Sequence, residues 1–324
     1  MKMRNTITLE EILRSSQNPA DTLRKLKAQI YPSKVRVDLN DKLVKYVFGL
    51  TDDGTKSLLD GEVFSIVEKK NFKNHGDVLT AYKILNAAGY RIQRPLTEFD
   101  RDVLSVCISE QEKGNWYTTP PIIYRGLTGK VNRGSDAKPS KDQLAAILDS
   151  IKILMSRRIR FDATSLCQQL NYNAGNPIKV NDSILPAWFV ESTTINGNDA
   201  TVIFFERECP LLKLAKAKKQ IITYPTQLLD VPGQKNTFMN IALKNYALRR
   251  VLEIIAHDMT ATLTFGDIFE KCRIENASQK TKLDARNNLV KFFEHLKIKA
   301  VIQDFTVTKK RNAFYSIKFT YTKK

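Results

Sequence analysis

Ser278-Gln279-Lys280-Thr281-Lys282-Leu283-Asp284-Ala285-Arg286-Asn287-Asn288-Leu289-Val290-Lys291-Phe292-Phe293-Glu294-His295-Leu296 reads as one helix. Leu283, Leu289, Val290, Phe293 and Leu296 make its inner face at helical spacing. Ala300 to Thr308 and Phe314 to Thr322 then alternate as two strands, turning at Lys309-Lys310-Arg311-Asn312. Upstream, Phe238 to His257 is a long helix with Ile241, Leu243, Tyr246, Leu248, Val251, Leu252 and Ile255 as its apolar positions. Thr264 caps a short helix whose core face holds Ile268, Phe269 and Cys272. Three helices followed by a β-hairpin is the winged-helix variant of the helix-turn-helix, in which the third helix enters the major groove.

The same order occurs earlier in the chain. Thr97, with Asp100 three residues on, starts a helix through Phe99, Val103, Leu104 and Cys107 that Gly114 ends. Thr118-Thr119-Pro120-Pro121 starts a second helix, stopped by Gly129. After a polar stretch from Val131 to Pro139, Ser140 and Gln143 form a capping box for a third helix to about Ser156. Arg157 to Phe161 reads as a strand. Ile184 to Ile195 and Ala200 to Phe205 flank Asn196-Gly197-Asn198, a strong hairpin signal.

The expected fold class is therefore α+β, two winged-helix domains in tandem. An N-terminal extension occupies residues 1–90, the first domain and its linker 91–233, and the second, basic domain 234–324. In the extension, Leu9 to Ile30 reads as an amphipathic helix interrupted at Pro19. Val35 to Leu39 and Glu62 to Val67 read as strands, and Val78 to Leu85 as a short helix.

Charge narrows the function. The 324 residues carry 52 Lys and Arg against 34 Asp and Glu, a net charge of +18. From Arg207 onward there are 23 basic and 10 acidic residues, so most of the excess lies in the C-terminal third. Such a field is relieved by a polyanion. On the third helix of the second unit, Gln279, Lys280, Lys282, Arg286, Asn287 and Lys291 fall away from the apolar stripe. Arg reads guanine and Asn or Gln reads adenine, while Lys holds phosphate. Lys309, Lys310 and Arg311 place three cations at the hairpin turn, where a phosphate backbone would neutralise them. In the first unit Lys138, Ser140 and Lys141 start the corresponding helix, but Asp142 and Asp149 dilute its field and its hairpin turn is not basic. That unit binds DNA or serves as a dimerisation module. The expected partner is double-stranded DNA.

No enzyme is expected, and neither catalytic residues, a metal nor a cofactor. The chain has His75, His257 and His295 only, with no His-x-His pair. Gly126-Leu127-Thr128-Gly129-Lys130-Val131 lacks the spacing and the hydroxyl of a nucleotide-binding loop and reads as a helix stop. Asp52 with Asp53, and Asp60 with Glu62, read as solvated turns. Cys107, Cys167, Cys209 and Cys272 form no CxxC pair, and Cys107 and Cys272 fit helix cores. Free thiols, no apolar leader and no apolar run of ~18 residues predict a cytoplasmic protein away from membranes.

The layout resembles the replication initiators of theta-replicating bacterial plasmids and related mobile elements, which carry two winged-helix domains. The resemblance rests on the two units and on the segment between them: Phe204-Phe205-Glu206, then Pro210-Leu211-Leu212, then a helix from Lys213 to Lys219. Leu96-Thr97-Glu98-Phe99-Asp100-Arg101 through Ile123-Tyr124-Arg125-Gly126-Leu127-Thr128-Gly129-Lys130 is similar to proteins of mobile elements in Gram-positive bacteria. Together these cover roughly residues 95 to 324. The resemblance implies binding to repeated origin sites, opening of an AT-rich region, host replication proteins as partners, and a monomer that initiates with a homodimer that represses. A transcriptional regulator of a phage or mobile element on the same scaffold is the alternative reading, and a site-specific DNA nicking enzyme a more distant one.

Overall fold

The computed structural model of the chain describes residues 33–40, 44, 63–68, 78–86, 96–131, 138–162, 164, 179–190, 194–195, 198–199, 201–310 and 313–322. The expected helix from Leu9 to Ile30, Cys167, His75, Arg311 and the paired acids from Asp52 to Glu62 lie outside the described residues.

The first unit is built on three helices: α1 (Glu98–Glu112), α2 (Pro120–Thr128) and α3 (Lys141–Ser156). Each starts where a side chain caps it. Thr97 and Asp100 form a reciprocal capping box, Thr119 accepts from the Ile122 amide, and Ser140 with Gln143 forms a second box. Gly129 ends α2 with a left-handed φ of 80°. No other residue fits there, because a Cβ would also lie 2.4 Å from the Asp230 amide nitrogen. Strand β4 (Tyr117–Thr118) precedes α2. Strands β7 (Ala187–Val190) and β10 (Val202–Phe205) follow α3 and form a hairpin. A small extension of that hairpin pairs β8 (Thr194–Ile195) with β9 (Asn198–Asp199). The three-stranded sheet has the order β4-β10-β7.

Between α3 and that hairpin, β5 (Arg157–Asp162) and β6 (Lys179–Ser183) enter a separate antiparallel sheet. Its other strands come from the first 90 residues: β2 (Val63–Glu68) and β3 (Val78–Asn86), in the order β2-β3-β5-β6. The stretch expected as a helix from Val78 is thus a strand. Val78, Thr80, Tyr82 and Ile84 alternate with period two and are good strand formers, and pairing with β2 and β5 overrides the short helical pattern.

The second unit repeats the order. It holds α5 (Phe238–His257), β12 (Thr262–Thr264), α6 (Phe265–Lys271), α7 (Gln279–Ile298), β13 (Asp304–Lys310) and β14 (Ala313–Thr320). Helix α4 (Pro210–Ala217) and strand β11 (Ile221–Pro225) lead into it. The sheet order is β12-β14-β13, the same arrangement as in the first unit. The final strands begin and end earlier or later than the sequence pattern suggests, with Ala300 to Gln303 forming the turn after α7 rather than strand. Leu283 was expected inside α7 and instead is 45% exposed. Ala285, Leu289, Phe292 and Leu296 recur at i, i+4, i+7 and i+11 and take the core face, with Phe293 beside them. Leu283 falls outside that arc.

Two apolar cores result. One gathers α1, α2, α3 and α4 with Val37 and Leu39; the other gathers α5, α6, α7 and the last hairpin with Tyr224, Leu228, Leu229 and Val231. Strand β1 (Val35–Leu39) joins them. It pairs antiparallel with β11 on one edge. On the other, its backbone is satisfied by hydroxyls of α1: the Val37 amide donates to Ser109 Oγ at 2.8 Å and Ser105 Oγ donates to the Val37 carbonyl at 2.6 Å.

A buried ion cluster lies at this junction. Arg249 of α5 donates to Asp102 Oδ1 at 2.9 Å and Glu98 Oε2 at 2.6 Å on α1, and to Asp38 Oδ1 of β1 at 3.4 Å. Arg36 donates to Ser105 Oγ, the Gly126 carbonyl and the Asp102 carbonyl, and Arg101 to the Leu39 carbonyl. Tyr224 donates to Asp38 Oδ2 at 2.8 Å. Three guanidinium groups thus face three carboxylates away from water. Burial pushes the Asp38 carboxyl up, but Arg249, Arg36 and Arg101 outweigh it and hold the group at about 2. Burial also pushes Asp102 up, and with Glu98 and Asp38 alongside it reaches about 7 against the pull of Arg249 and Arg36. The second carboxylate oxygen of Asp102 has no hydrogen-bond partner among the described residues, in keeping with that direction.

Candidate nucleic-acid interface

Helix α7 is anchored by its inner face and leaves the opposite face in solvent. Gln279, Lys280, Leu283, Asp284, Asn287 and Lys291 are all exposed, and they share one arc by helical spacing. Its first turn contains no acid and carries Lys280 and Lys282. The start of a helix already bears partial positive charge, so two cations there raise the potential further. Helices α1, α3 and α6 all place acids in the first turn. The start of α7 differs from these three in carrying cations and no acid, although α2, α4 and α5 also begin without an acid.

Lys282 is half-buried. Arg286 points elsewhere: its guanidinium carbon lies 5.5 Å from the Phe269 ring centre and 6.0 Å from that of Phe265. That contact fastens α7 to α6, so Arg286 is placed as a packing residue as much as a reader of bases. Lys309 is exposed in β13, and Lys310 ends that strand opposite Ala313.

In the first unit, Lys138, Ser140 and Lys141 are exposed at the start of α3. The Ser140 hydroxyl is engaged as the cap, accepting from the Gln143 amide at 3.2 Å. The tertiary structure brings this helix start toward α7 through the segment between the units. Gln143 Nε2 donates to the Asn236 carbonyl at 2.7 Å, and Gln234 Nε2 donates to the Asn288 carbonyl of α7 at 3.1 Å. Asn288 also donates to Asn240 Oδ1 at 2.9 Å. Exposed Lys235 sits between these two contacts. Sequence reasoning missed Lys235, since nothing local distinguishes one lysine in a polar linker.

The remaining candidates have structural surroundings. Cys107 and Cys209 are buried, and burial pushes both thiols up, Cys209 to about 12. Cys272 is less buried than expected and ends α6 as its cap. Among the described residues no group of three or more His, Cys, Asp or Glu is placed to hold a metal ion. No described helix is long and apolar enough to cross a membrane.

No protein-family model matches this chain. No curated protein matches it in sequence. Among solved structures, the crystal structure of domains 2 and 3 of RctB is similar over 86% of this chain and 98% of that one, at 10% identity and a TM-score of 0.39. A likeness that remote carries no argument about what this protein does.

Proposed function

We propose that the chain is a sequence-specific double-stranded DNA-binding protein with two winged-helix units, and that it initiates replication at repeated sites of a plasmid or mobile element. The observation that carries the DNA-binding reading is the exposed face of α7. Polar and cationic side chains stand on the third helix of a unit whose helix–strand–helix–helix–hairpin order and sheet order β12-β14-β13 suit groove insertion. The same order in the first unit supports the tandem. Gln279, Lys280, Asn287 and Lys291 are assigned to the groove, and Lys309, Lys310 and Arg311 to the flanking backbone. Lys138, Ser140 and Lys141 are assigned to a second contact from the first unit.

The initiator role is supported by the resemblance of the two units and their connecting segment to theta-type initiators. Host replication proteins and a homodimer belong to that same reading, as does a cytoplasmic protein without enzymatic activity. The test is a binding titration over a salt series, with duplex DNA from beside the protein's own gene and a scrambled duplex. Tight binding to the native duplex in a ladder of shifted bands supports an initiator on repeated sites. A single complex on one palindrome supports a transcriptional regulator instead. Equal, salt-sensitive binding to both duplexes overturns the sequence-specific reading, and metal-dependent nicking of supercoiled DNA would point to the nicking enzyme.

A further inference from the structure

Leu283 stands in the middle of the arc assigned to the DNA groove, and it is the one large apolar side chain there. It is 45% exposed, while the neighbours above and below it on the helix, Gln279, Lys280 and Asn287, are exposed and polar. The core of α7 is complete without it, since Ala285, Leu289, Phe292, Phe293 and Leu296 are each at most 1% exposed. A single exposed leucine is common on any surface. Its position is what distinguishes this one. It lies one turn into a helix whose first turn carries two lysines and no acid, with exposed Asp284 the next residue on, so under the DNA-binding reading it faces the duplex.

The major groove offers one apolar feature, the 5-methyl group of thymine. A leucine flanked by an amide at Asn287 and an amide at Gln279 matches a groove that presents methyl groups next to adenine edges. Gln and Asn pair with adenine N6 and N7, and the adenine's partner carries the methyl. We propose that Leu283 is a specificity-determining residue that reads thymine methyl groups in the bound duplex. This rests on the DNA-binding reading above and extends it to the base composition of the site: A·T pairs beneath the first two turns of α7.

The test uses the full chain and its preferred duplex, chosen from a randomised pool. Each thymine is replaced in turn by uracil, which removes only the methyl group. Burying one methyl is worth a change in affinity of roughly four-fold. For the native chain, one or two uracil positions should weaken binding by about that factor. In Leu283→Ala those positions should lose their effect, while the thymine duplex binds as the uracil duplex bound before. Leu283→Met, which keeps an apolar side chain, should retain sensitivity. Leu283 is not part of the second core and alanine is a good helix former, so the fold is retained. If Leu283→Ala leaves the uracil penalties unchanged, or if no position shows one, the inference is wrong. Specific binding that ignores the methyl groups overturns it alone. Equal affinity for every duplex overturns it together with the sequence-specific reading.

Discussion

Replacing Arg249 with methionine keeps length and apolar bulk while removing the charge at the centre of the junction. Arg249 is 3% exposed and holds Glu98, Asp102 and Asp38 at 2.6, 2.9 and 3.4 Å. Its loss leaves three buried carboxylates facing only Arg36 and Arg101. Breaking a buried ion pair from one side costs about 3–5 kcal/mol, because the stranded charge has no water to replace its partner. Part of that cost is escaped by protonating Asp102, whose carboxyl is already pushed up to about 7. The loss should therefore be larger at pH 8 than at pH 5.5. Urea unfolding measures it. Both tryptophans, Trp116 and Trp188, lie in the first unit, so their fluorescence follows that unit while far-ultraviolet circular dichroism follows both. The two signals should coincide in the native chain and separate in Arg249→Met, because the charge cluster couples the units. Combining Arg249→Met with Asp102→Asn should recover part of the loss. A destabilisation under about 1 kcal/mol at pH 8, with the two signals still coincident, would refute the idea that the cluster holds the units together.

Asp38 gives the opposite pH dependence to Asp102. Its folded-state carboxyl is held at about 2 against an ordinary value of 3.8, so its stabilisation is full above that ordinary value and is lost as pH falls toward 2. Asp38→Asn should remove that part of the acid-unfolding curve, read by thermal melts between about pH 2 and 5. Gly129→Ala should lower stability by more than about 1 kcal/mol in urea titrations, since a methyl group there strikes the Asp230 backbone and φ is left-handed. Phe292→Ala, at 0% exposure in the second core, should cost about 3–5 kcal/mol in the same assay. Lys309→Ala should weaken native and scrambled duplexes alike and reduce the slope of log affinity against log salt by about 0.9, while leaving the preference between them intact.

The local rules were legible because they act over three or four residues. Thr97, Thr119, Ser140, Thr264 and Ser278 each accept a backbone amide at the start of their helix, and such capping depends only on near neighbours. Ile195 pairs with Asn198 on either side of the Asn196-Gly197 signal, which itself lies outside the described residues. Leu283 was misplaced because a helix has two sides, and the choice between them is made by what packs against it. Nothing local in the sequence shows that Phe265 and Phe269 lie beneath Arg286.

By itself, then, the sequence determined the caps, the order of helices and hairpins in both units, and the excess of positive charge toward the C-terminus. These follow from periodicity, capping and composition, which are properties of contiguous segments. Only the tertiary structure decided that Val78 to Asn86 is a strand and that β1 bridges two cores. It also decided that Arg249 meets carboxylates from residues 38, 98 and 102, and that the segment around Lys235 touches both α3 and α7. Each of these depends on pairing between residues far apart in the chain. The free energy of such contacts is set by the partner's burial and geometry, which no local pattern carries.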